Sequence, residues 1–385
     1  MSKSAADRVF LDHNATSPLR PEARAGVVGA LGLAGNASSV HAEGRRARGL
    51  IEDARAAVAS LVGAKLRNVI FTSGASESNN TVIAQPRWAH VAVSAVEHPS
   101  VIEPAKRLGG DLFTALPVQS DGQIDLEFLR GWLERPCDGD RLVSVQWANG
   151  ETGILQPVQE VADLVADHGA FLHVDAVQAA GRVEIDALKL DAAFITLSSH
   201  KIGGPQGIGA IIQGRGGELR RPLSVGGGQE NRLRAGTENV AGCAGFGAAS
   251  LVAAKEARDQ ARIRALRDRL EAEVKAMTPG AVVIGEDSLR LANTSAIALA
   301  GKKAETSVIA FDLAGIAISA GSACSSGKVA RSHVLAAMGM DEAMTQSALR
   351  VSLGWSSSDN DVSRFLEVWG TVMKKNSVGI AEAIA

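Results

Sequence analysis

The sequence is poor in cysteine. Only three occur in 385 residues, an odd number that closes no disulfide framework, and no two share the C-x-x-C spacing of a zinc site. Charge of one sign is lacking too. Forty Lys and Arg against 42 Asp and Glu leave a formal net charge of −2, which makes no case for nucleic acid or an anionic membrane surface as the main partner. No apolar run approaches the ~18 residues of a membrane-spanning helix. The opening stretch, MSKSAADRVFLDHNATSP, has no apolar core of a secretory signal, so a cytoplasmic location is expected. Neither internal repeats nor low-complexity tracts interrupt the chain. What is present, 46% hydrophobic and 21% charged residues, is the composition of an ordinary globular protein with two or three structural units.

Short apolar runs recur, each stopped by glycine or polar residues. NVIFTSG, HVAVSAVEH, RLVSVQWANG, AFLHVDAVQ, AAFITLSSHK and GIGAIIQG read as strands, and ILQPVQEVADLVADHG as an intervening helix. Strands alternating with helices predict an α/β fold with a mostly parallel sheet. From Val252 the texture changes. AAKEARDQARIRALRDRLEAEVKAM reads as one long charged helix, with Ile263, Leu266, Leu270 and Val274 on one stripe and its charges on a solvated face. AVVIGE, TSAIAL, IAISAGSACSS and LRVSLG then read as strands of a smaller α+β unit. The first residues are expected to cross over and join it. The division expected is therefore 15–251 for the large unit, and 1–14 with 252–385 for the small one.

Polar groups gather where the apolar runs stop, and in open α/β sheets ligands bind at the carboxyl ends of strands. Gly74-Ala75-Ser76 follows a strand and opens a helix. Such amides suit a phosphate, although the same turn serves as a simple cap. Asp175 ends FLHVD, either as a helix cap or as the partner of a ring nitrogen. Gln178 follows three residues later. Lys201 ends another strand, between His200 and a glycine-rich stretch, where a sheltered amine can form a Schiff base. An acid, an amine and an anion-binding turn are the parts that pyridoxal 5′-phosphate requires. Cys137 and Cys243 are expected to be structural and inert, Cys243 inside a tightly packed helix. Cys324 differs: it lies among small residues in ISAGSACSSGKVARSHVLAAMG, without the apolar cover of an inert thiol.

Ten segments in order carry a family resemblance: FLDHNATSPLRPEA, NASSVHAEGRRAR, IFTSGASESNN, VEHPSV, NGETGILQPV, HVDAVQAAGR, LSSHKIGGPQGIGA, GGGQENRLRAGTENV, SAGSACSSG and LRVSLG. The chain resembles the cysteine desulfurases of the nitrogen-fixation and iron–sulfur-cluster type, in the class V aminotransferase group of fold type I. The match spans nearly the whole chain. The resemblance implies a large domain with a mostly parallel seven-stranded sheet flanked by helices, and a smaller α+β domain with a mobile cysteine loop at about 319–332.

The resemblance also implies roles. Lys201 would hold the cofactor covalently, Asp175 would pair with its ring nitrogen, and Gln178 would contact its phenolic oxygen. His98 would stack on the ring. Ala75, Ser76, Ser198 and His200 would hold the phosphate. Thr237 would reach the phosphate of a neighbouring subunit, so a homodimer follows. Arg350 would grip the substrate carboxylate with its planar fork, with Asn36 and Asn149 beside the substrate. Cys324 would take the sulfur of L-cysteine as a persulfide, release L-alanine, and pass the sulfur to an iron–sulfur scaffold or another sulfur carrier. No resident metal is implied; Cys324 alone is open to transient iron–sulfur ligation.

Two departures stand out. Gly150 occupies the place of the family's second asparagine before ETG, which removes one side chain from the cofactor. Lys328 and Arg331 make the stretch after Cys324 more basic, and with a protonated His98 they are the candidate cations for favouring a Cys324 thiolate. The competing readings are a selenocysteine lyase or another class V aminotransferase, and a non-catalytic scaffold for a sulfur carrier.

Overall fold

The computed structural model describes residues 8–321 and 331–378. The strands are β1 (Val9–Phe10), β2 (Val69–Thr72), β3 (Trp88–Ser94), β4 (Phe113–Leu116), β5 (Asp140–Gln146), β6 (Phe171–Asp175), β7 (Phe194–Ser198), β8 (Gly209–Gln213), β9 (Val282–Val283), β10 (Thr294–Ala298), β11 (Ile316–Ala317), β12 (Ser319–Ala320) and β13 (Leu349–Ser352). The helices are α1 (Pro21–Leu31), α2 (Ala42–Leu61), α3 (Ala75–Ile83), α4 (Pro99–Lys106), α5 (Leu126–Leu133), α6 (Val158–Asp167), α7 (Ala187–Leu190), α8 (Val240–Glu256), α9 (Ala261–Met277), α10 (Ala304–Leu313), α11 (His333–Ala337), α12 (Glu342–Ser347) and α13 (Asp359–Val378).

Seven strands form one sheet in the order β2-β8-β7-β6-β5-β3-β4. Strands β4, β3, β5, β6 and β7 run parallel, and β8 is antiparallel to both of its neighbours. Apolar side chains leave both faces. On one, Val143, Val145, Val174 and Ile195 join Ile51, Val58 and Phe246 of α2 and α8. On the other, Val91, Val93, Phe194 and Ile211 join Val82, Ile83 and Val101 of α3 and α4. Burial on both faces explains why these strands read as nearly continuous apolar runs. Helices α2 and α8 lie so close that a Cβ on Gly247 would stand 2.7 Å from the Cα of Ala54.

The second core gathers Leu11, Leu270, Val274, Ile297, Phe311, Phe365 and Trp369. Phe311 stacks on Phe365 with ring centroids 5.2 Å apart. Its sheet runs β12-β13-β10-β9, and β1 pairs with β11, so the first described strand does cross over. A smaller cluster of Val96 and Ile154 with Ala296, Val334, Leu335 and Met338 packs α11 against the edge of the large sheet.

The single helix expected from Val252 is two. Helix α8 ends at Glu256, and the Asp259 carboxylate accepts from the Ala261 amide at 3.0 Å, opening α9. That local bond competes with helix continuation. The stripe of Ile263, Leu266, Leu270 and Val274 is buried as expected. Not all of the helix's charges are solvated, because Arg267 and Glu271, which flank the stripe, are buried too. Arg267 donates to Leu291 O at 2.8 Å, and Glu271 pairs with Arg290 at 2.8 Å. Cys243 is buried in α8, and burial pushes its thiol up to about 12, while Cys137 is half-buried. Among the described residues, no helix is long and apolar enough to cross a membrane.

Candidate active site

Parallel strands deliver their carboxyl ends to one edge of the sheet, and there the chain opens a cavity of about 890 Å³. Residues at or just past the ends of β2, β3, β5, β6 and β7 form its walls: Gly74–Glu77, Val96–Ser100, Ala148–Glu151, then Asp175, Val177 and Gln178, and Ser198, His200 and Lys201. The second unit closes it with Arg331–Val334 and Arg350.

Lys201 lies in a single 3-10 turn, Ser199–Ile202, directly after β7. Its Nζ donates to Ala15 O at 2.9 Å and also to Asn14 O. Asp175 is only 6% exposed. Its Oδ2 accepts from Asn79 Nδ2 at 2.8 Å and its Oδ1 from the Val177 amide at 3.0 Å. Helix α3 starts on Gly74, whose φ of 155° no side chain readily adopts. The amides of Ala75 and Ser76 open that helix without intrahelical acceptors. Ser198 and His200 line the same cavity. Burial, then Lys201, lowers the His200 imidazole to about 4.

A hydrogen-bond chain fixes proton positions around Asp175. Asn79 Nδ2 donates to Asp175 and to Ser100 Oγ at 2.9 Å, so the Ser100 hydroxyl donates onward to His98 Nδ1 at 2.8 Å. The Ser100 amide also donates to His98 Nδ1, at 3.1 Å. His98 therefore carries its proton on Nε2. On the other side Thr196 Oγ1 donates to Asn79 Oδ1 at 2.6 Å and must accept from His173 Nε2 at 3.1 Å. His173 Nδ1 then accepts from Ser144 Oγ at 2.8 Å. Burial lowers His173 to about 3, in keeping with a neutral ring. Burial likewise lowers His98 more than the opposing pull of Asp175 raises it. The sequence expectation of a protonated His98 beside a thiolate is thus corrected: its Nδ1 is an acceptor from both the Ser100 hydroxyl and the Ser100 amide.

Gln178 lines the cavity. Its Nε2 donates to Asn14 O at 3.0 Å, and Arg182 holds its Oε1. A Cβ on Gly150 would stand 3.2 Å from Gln178 Nε2, so the glycine leaves Gln178 its position. Asn149 is at the cavity but turned to the backbone. Its Oδ1 accepts from the Glu151 and Thr152 amides at 2.8 and 2.9 Å, and its Nδ2 donates to Val96 O at 3.1 Å. Its Oδ1 shapes the turn, and its Nδ2 gives one of its two hydrogens to Val96 O. Arg350 is 4% exposed. Its Nη2 reaches Asp12 Oδ1 at 2.8 Å, its Nη1 reaches Gly150 O at 3.2 Å, and its buried Nε has no partner among the described residues.

Two expected residues are elsewhere in the chain. Asn36 is exposed, its Oδ1 accepts from the Ser38 amide at 2.9 Å in the turn ahead of α2, and it is not in the lining that holds Arg350. Thr237 is exposed and stands outside the lining of its own cavity. The cysteine loop expected at about 319–332 begins instead as β12, and Ser332 already caps α11. Cys324 and Lys328 fall outside the described residues.

Sequence reasoning missed four residues of this site. Asn79 holds Asp175, and only its place in the helix after Gly74-Ala75-Ser76 could have marked it. His333 Nε2 donates to Glu97 O at 2.9 Å from α11. Glu97 is fully buried: its Oε1 accepts from the Gln146 amide at 2.5 Å, and its Oε2 has no partner among the described residues. Burial, then the charge of Asp175, pushes its carboxyl well above the usual range. Glu151 is the fourth, with Ser332 Oγ donating to its Oε2 at 2.6 Å.

The aminotransferase class-V profile matches residues 9–365. The chain belongs to the class-V aminotransferases. Cysteine desulfurase IscS 1 of Archaeoglobus fulgidus is 40% identical over 350 residues, 89% of this chain and 90% of its own. The solved NifS-like protein of Rickettsia africae is 33% identical with a TM-score of 0.88, covering 95% of this chain and 99% of its own. A structure described as SspA in complex with cysteine is 27% identical with a TM-score of 0.77, over 90% and 98%.

These class-V aminotransferases use pyridoxal 5′-phosphate, and the residues present fit it. The cavity offers a primary amine in Lys201, an acceptor held by two donors in Asp175, and a helix start with unclaimed amides at Ala75 and Ser76. Among the described residues no group of three or more His, Cys, Asp or Glu could hold a metal ion.

Proposed function

We propose that this chain is a pyridoxal 5′-phosphate-dependent cysteine desulfurase that converts L-cysteine to L-alanine and takes the sulfur onto Cys324 as a persulfide. The observation that carries the reading is the convergence on one cavity of Lys201, Asp175, the first amides of α3 and Arg350. They answer, in turn, to an aldehyde, a ring nitrogen, a phosphate and a substrate carboxylate. The curated relative named as a cysteine desulfurase and the solved neighbour described with cysteine support the substrate.

When bound, the cofactor supplies an electron sink for bonds broken at and next to the substrate's α-carbon. The chain's own residues do the rest. Lys201 holds the group and, once displaced by the substrate amine, moves the α-proton with its Nζ. Asp175 keeps the ring nitrogen's proton in place, and Asn79 keeps Asp175 in place. Arg350 orients the carboxylate, which fixes the α-carbon over Lys201. The Cys324 thiolate then attacks the substrate sulfur. A sulfur–sulfur bond forms, the carbon–sulfur bond breaks, and its electron pair stays on carbon, which gains a proton and becomes the alanine methyl. Cysteine and enzyme thiol give alanine and enzyme persulfide, with no external oxidant.

The finer readings belong to the same proposal. The chain divides into a cofactor-binding unit, 15–251, and a second unit of 1–14 and 252–385. It works as a cytoplasmic homodimer, in which the exposed Thr237 reaches the neighbouring phosphate. The persulfide serves an acceptor protein in iron–sulfur cluster assembly, transfer RNA thiolation or thiocofactor synthesis.

The Cys324→Ala variant, assayed with cysteine and with selenocysteine, tests the assignment. Alanine formation from cysteine is expected to fall at least about 10²-fold, as for loss of an attacking group. Undiminished sulfur release from cysteine would contradict the proposal and favour a lyase that needs no protein thiol.

A further inference from the structure

Beside Arg350 the cavity holds an acid that the reaction above leaves unused. Glu151 follows Gly150 in the turn after β5 and lines the same wall. Ser332 Oγ donates to its Oε2 at 2.6 Å from the N-cap of α11, and a Cβ on Gly321 would stand 3.4 Å from that oxygen. Both ends of the segment that carries Cys324 therefore meet this carboxyl.

The charges in this corner can be counted. Arg350 faces Glu151 from β13 and is paired with Asp12, next to β1, at 2.8 Å. Arg182 is half-buried, donating from Nη2 to His13 O at 3.2 Å and from Nη1 to Gln178. Arg331 and His333 line the cavity from the α11 side, and Glu97 and Asp175 from the large sheet. Arg350 thus faces Asp12 and Glu151, with Arg331 in the same lining. An incoming substrate carboxylate would be a third acid in a desolvated place, and an unbalanced buried charge is costly. Asp12 is tied into the ion pair and accepts from Ser319 Oγ at 2.7 Å. Among the described residues the Glu151 carboxyl holds only the neutral Ser332 hydroxyl, a bond that a neutral acid can still accept. Burial lifts its carboxyl to about 7, against smaller opposing pulls from Ser332 and Arg350.

We propose that Glu151 is a positioning residue for the carboxylate at Arg350, and that ligand binding there is coupled to uptake of one proton by Glu151. The neutral acid keeps its bond from Ser332 and leaves the Arg350 charge to the substrate. This inference rests on Arg350 being the carboxylate clamp. The sign follows from linkage. Below the carboxyl's value of about 7 Glu151 is already protonated and binding takes up nothing. Above it each binding event must supply the proton, so affinity falls as pH rises.

The test uses the holoenzyme and 3-mercaptopropionate, which carries the carboxylate and thiol of cysteine without its amine. Calorimetry in buffers of low and high ionisation enthalpy measures the protons exchanged. The wild type is expected to take up nearly one proton at about pH 8, and its affinity to fall roughly tenfold from about pH 6 to about pH 8. Glu151→Gln, a permanently neutral analogue, should take up no proton and show a flat affinity. No uptake by the wild type, or undiminished uptake by Glu151→Gln, would overturn the linkage alone. Arg350→Ala is expected to bind the probe weakly; unweakened binding would overturn the clamp and the linkage with it.

Discussion

Replacing Lys201 by alanine is expected to lower alanine formation by at least about 10⁴-fold, since one residue supplies both cofactor attachment and proton transfer. The same variant should fail to retain pyridoxal phosphate after borohydride and denaturation, whereas the wild type keeps it covalently. The position is narrow. Lys201 sits in a single turn ended by Gly203 at a φ of 82°, and two backbone carbonyls, those of Asn14 and Ala15, receive its Nζ. Lys201→Arg is expected to be as inactive as the alanine variant. A guanidinium retains the charge but does not take the part of a compact amine nucleophile. Activity in either variant within tenfold of wild type would remove Lys201 from the mechanism.

Asp175→Asn should lower kcat by about 10²–10³-fold with little change in KM, the pattern for a group that matters chiefly as charge develops on the ring. Local geometry adds to the effect. Both Asp175 oxygens accept, one from Asn79 and one from the Val177 amide. An asparagine has a single oxygen, so one donor would face an NH₂. Leaving a buried donor unmatched costs about 1–3 kcal/mol, which denaturant unfolding of the variant would reveal. The disturbance should reach His98 through Asn79 and Ser100. A variant with wild-type kcat and unchanged stability would contradict both the role of Asp175 and the proton arrangement assigned to this chain of bonds.

Much of the site was legible because the sheet makes it so. Asp175 and Lys201 announce themselves by ending or closely following apolar runs, and a strand end is where a parallel sheet presents groups to a ligand. The apolar stripe of α9 was legible for a similar reason: its period survives whatever surrounds it. The break between α8 and α9 was not, because a helical composition continues through Arg258-Asp259-Gln260, and only the Asp259 bond to Ala261 shows the new start. Asn79, Glu97 and Glu151 were hidden for another reason. Asn79 is on α3, Glu97 follows β3 and Glu151 follows β5, so their partners Asp175, Gln146 and Ser332 come from other parts of the chain. Asn149 was visible, but that its Oδ1 is committed to the Glu151 and Thr152 amides of its own turn was not. Gly150 is legible only with Gln178 in place: the missing side chain leaves that amide undisturbed.

The central claim is that sulfur moves from cysteine to Cys324. The most direct measurement adds L-cysteine to the purified holoenzyme, without reductant, and follows alanine together with the mass of the peptide that contains Cys324. The account predicts one alanine for each peptide that gains a single sulfur atom, and no gain on the peptides of Cys137 or Cys243. Alanine released with the Cys324 peptide unchanged, or sulfur found on another cysteine, would contradict it.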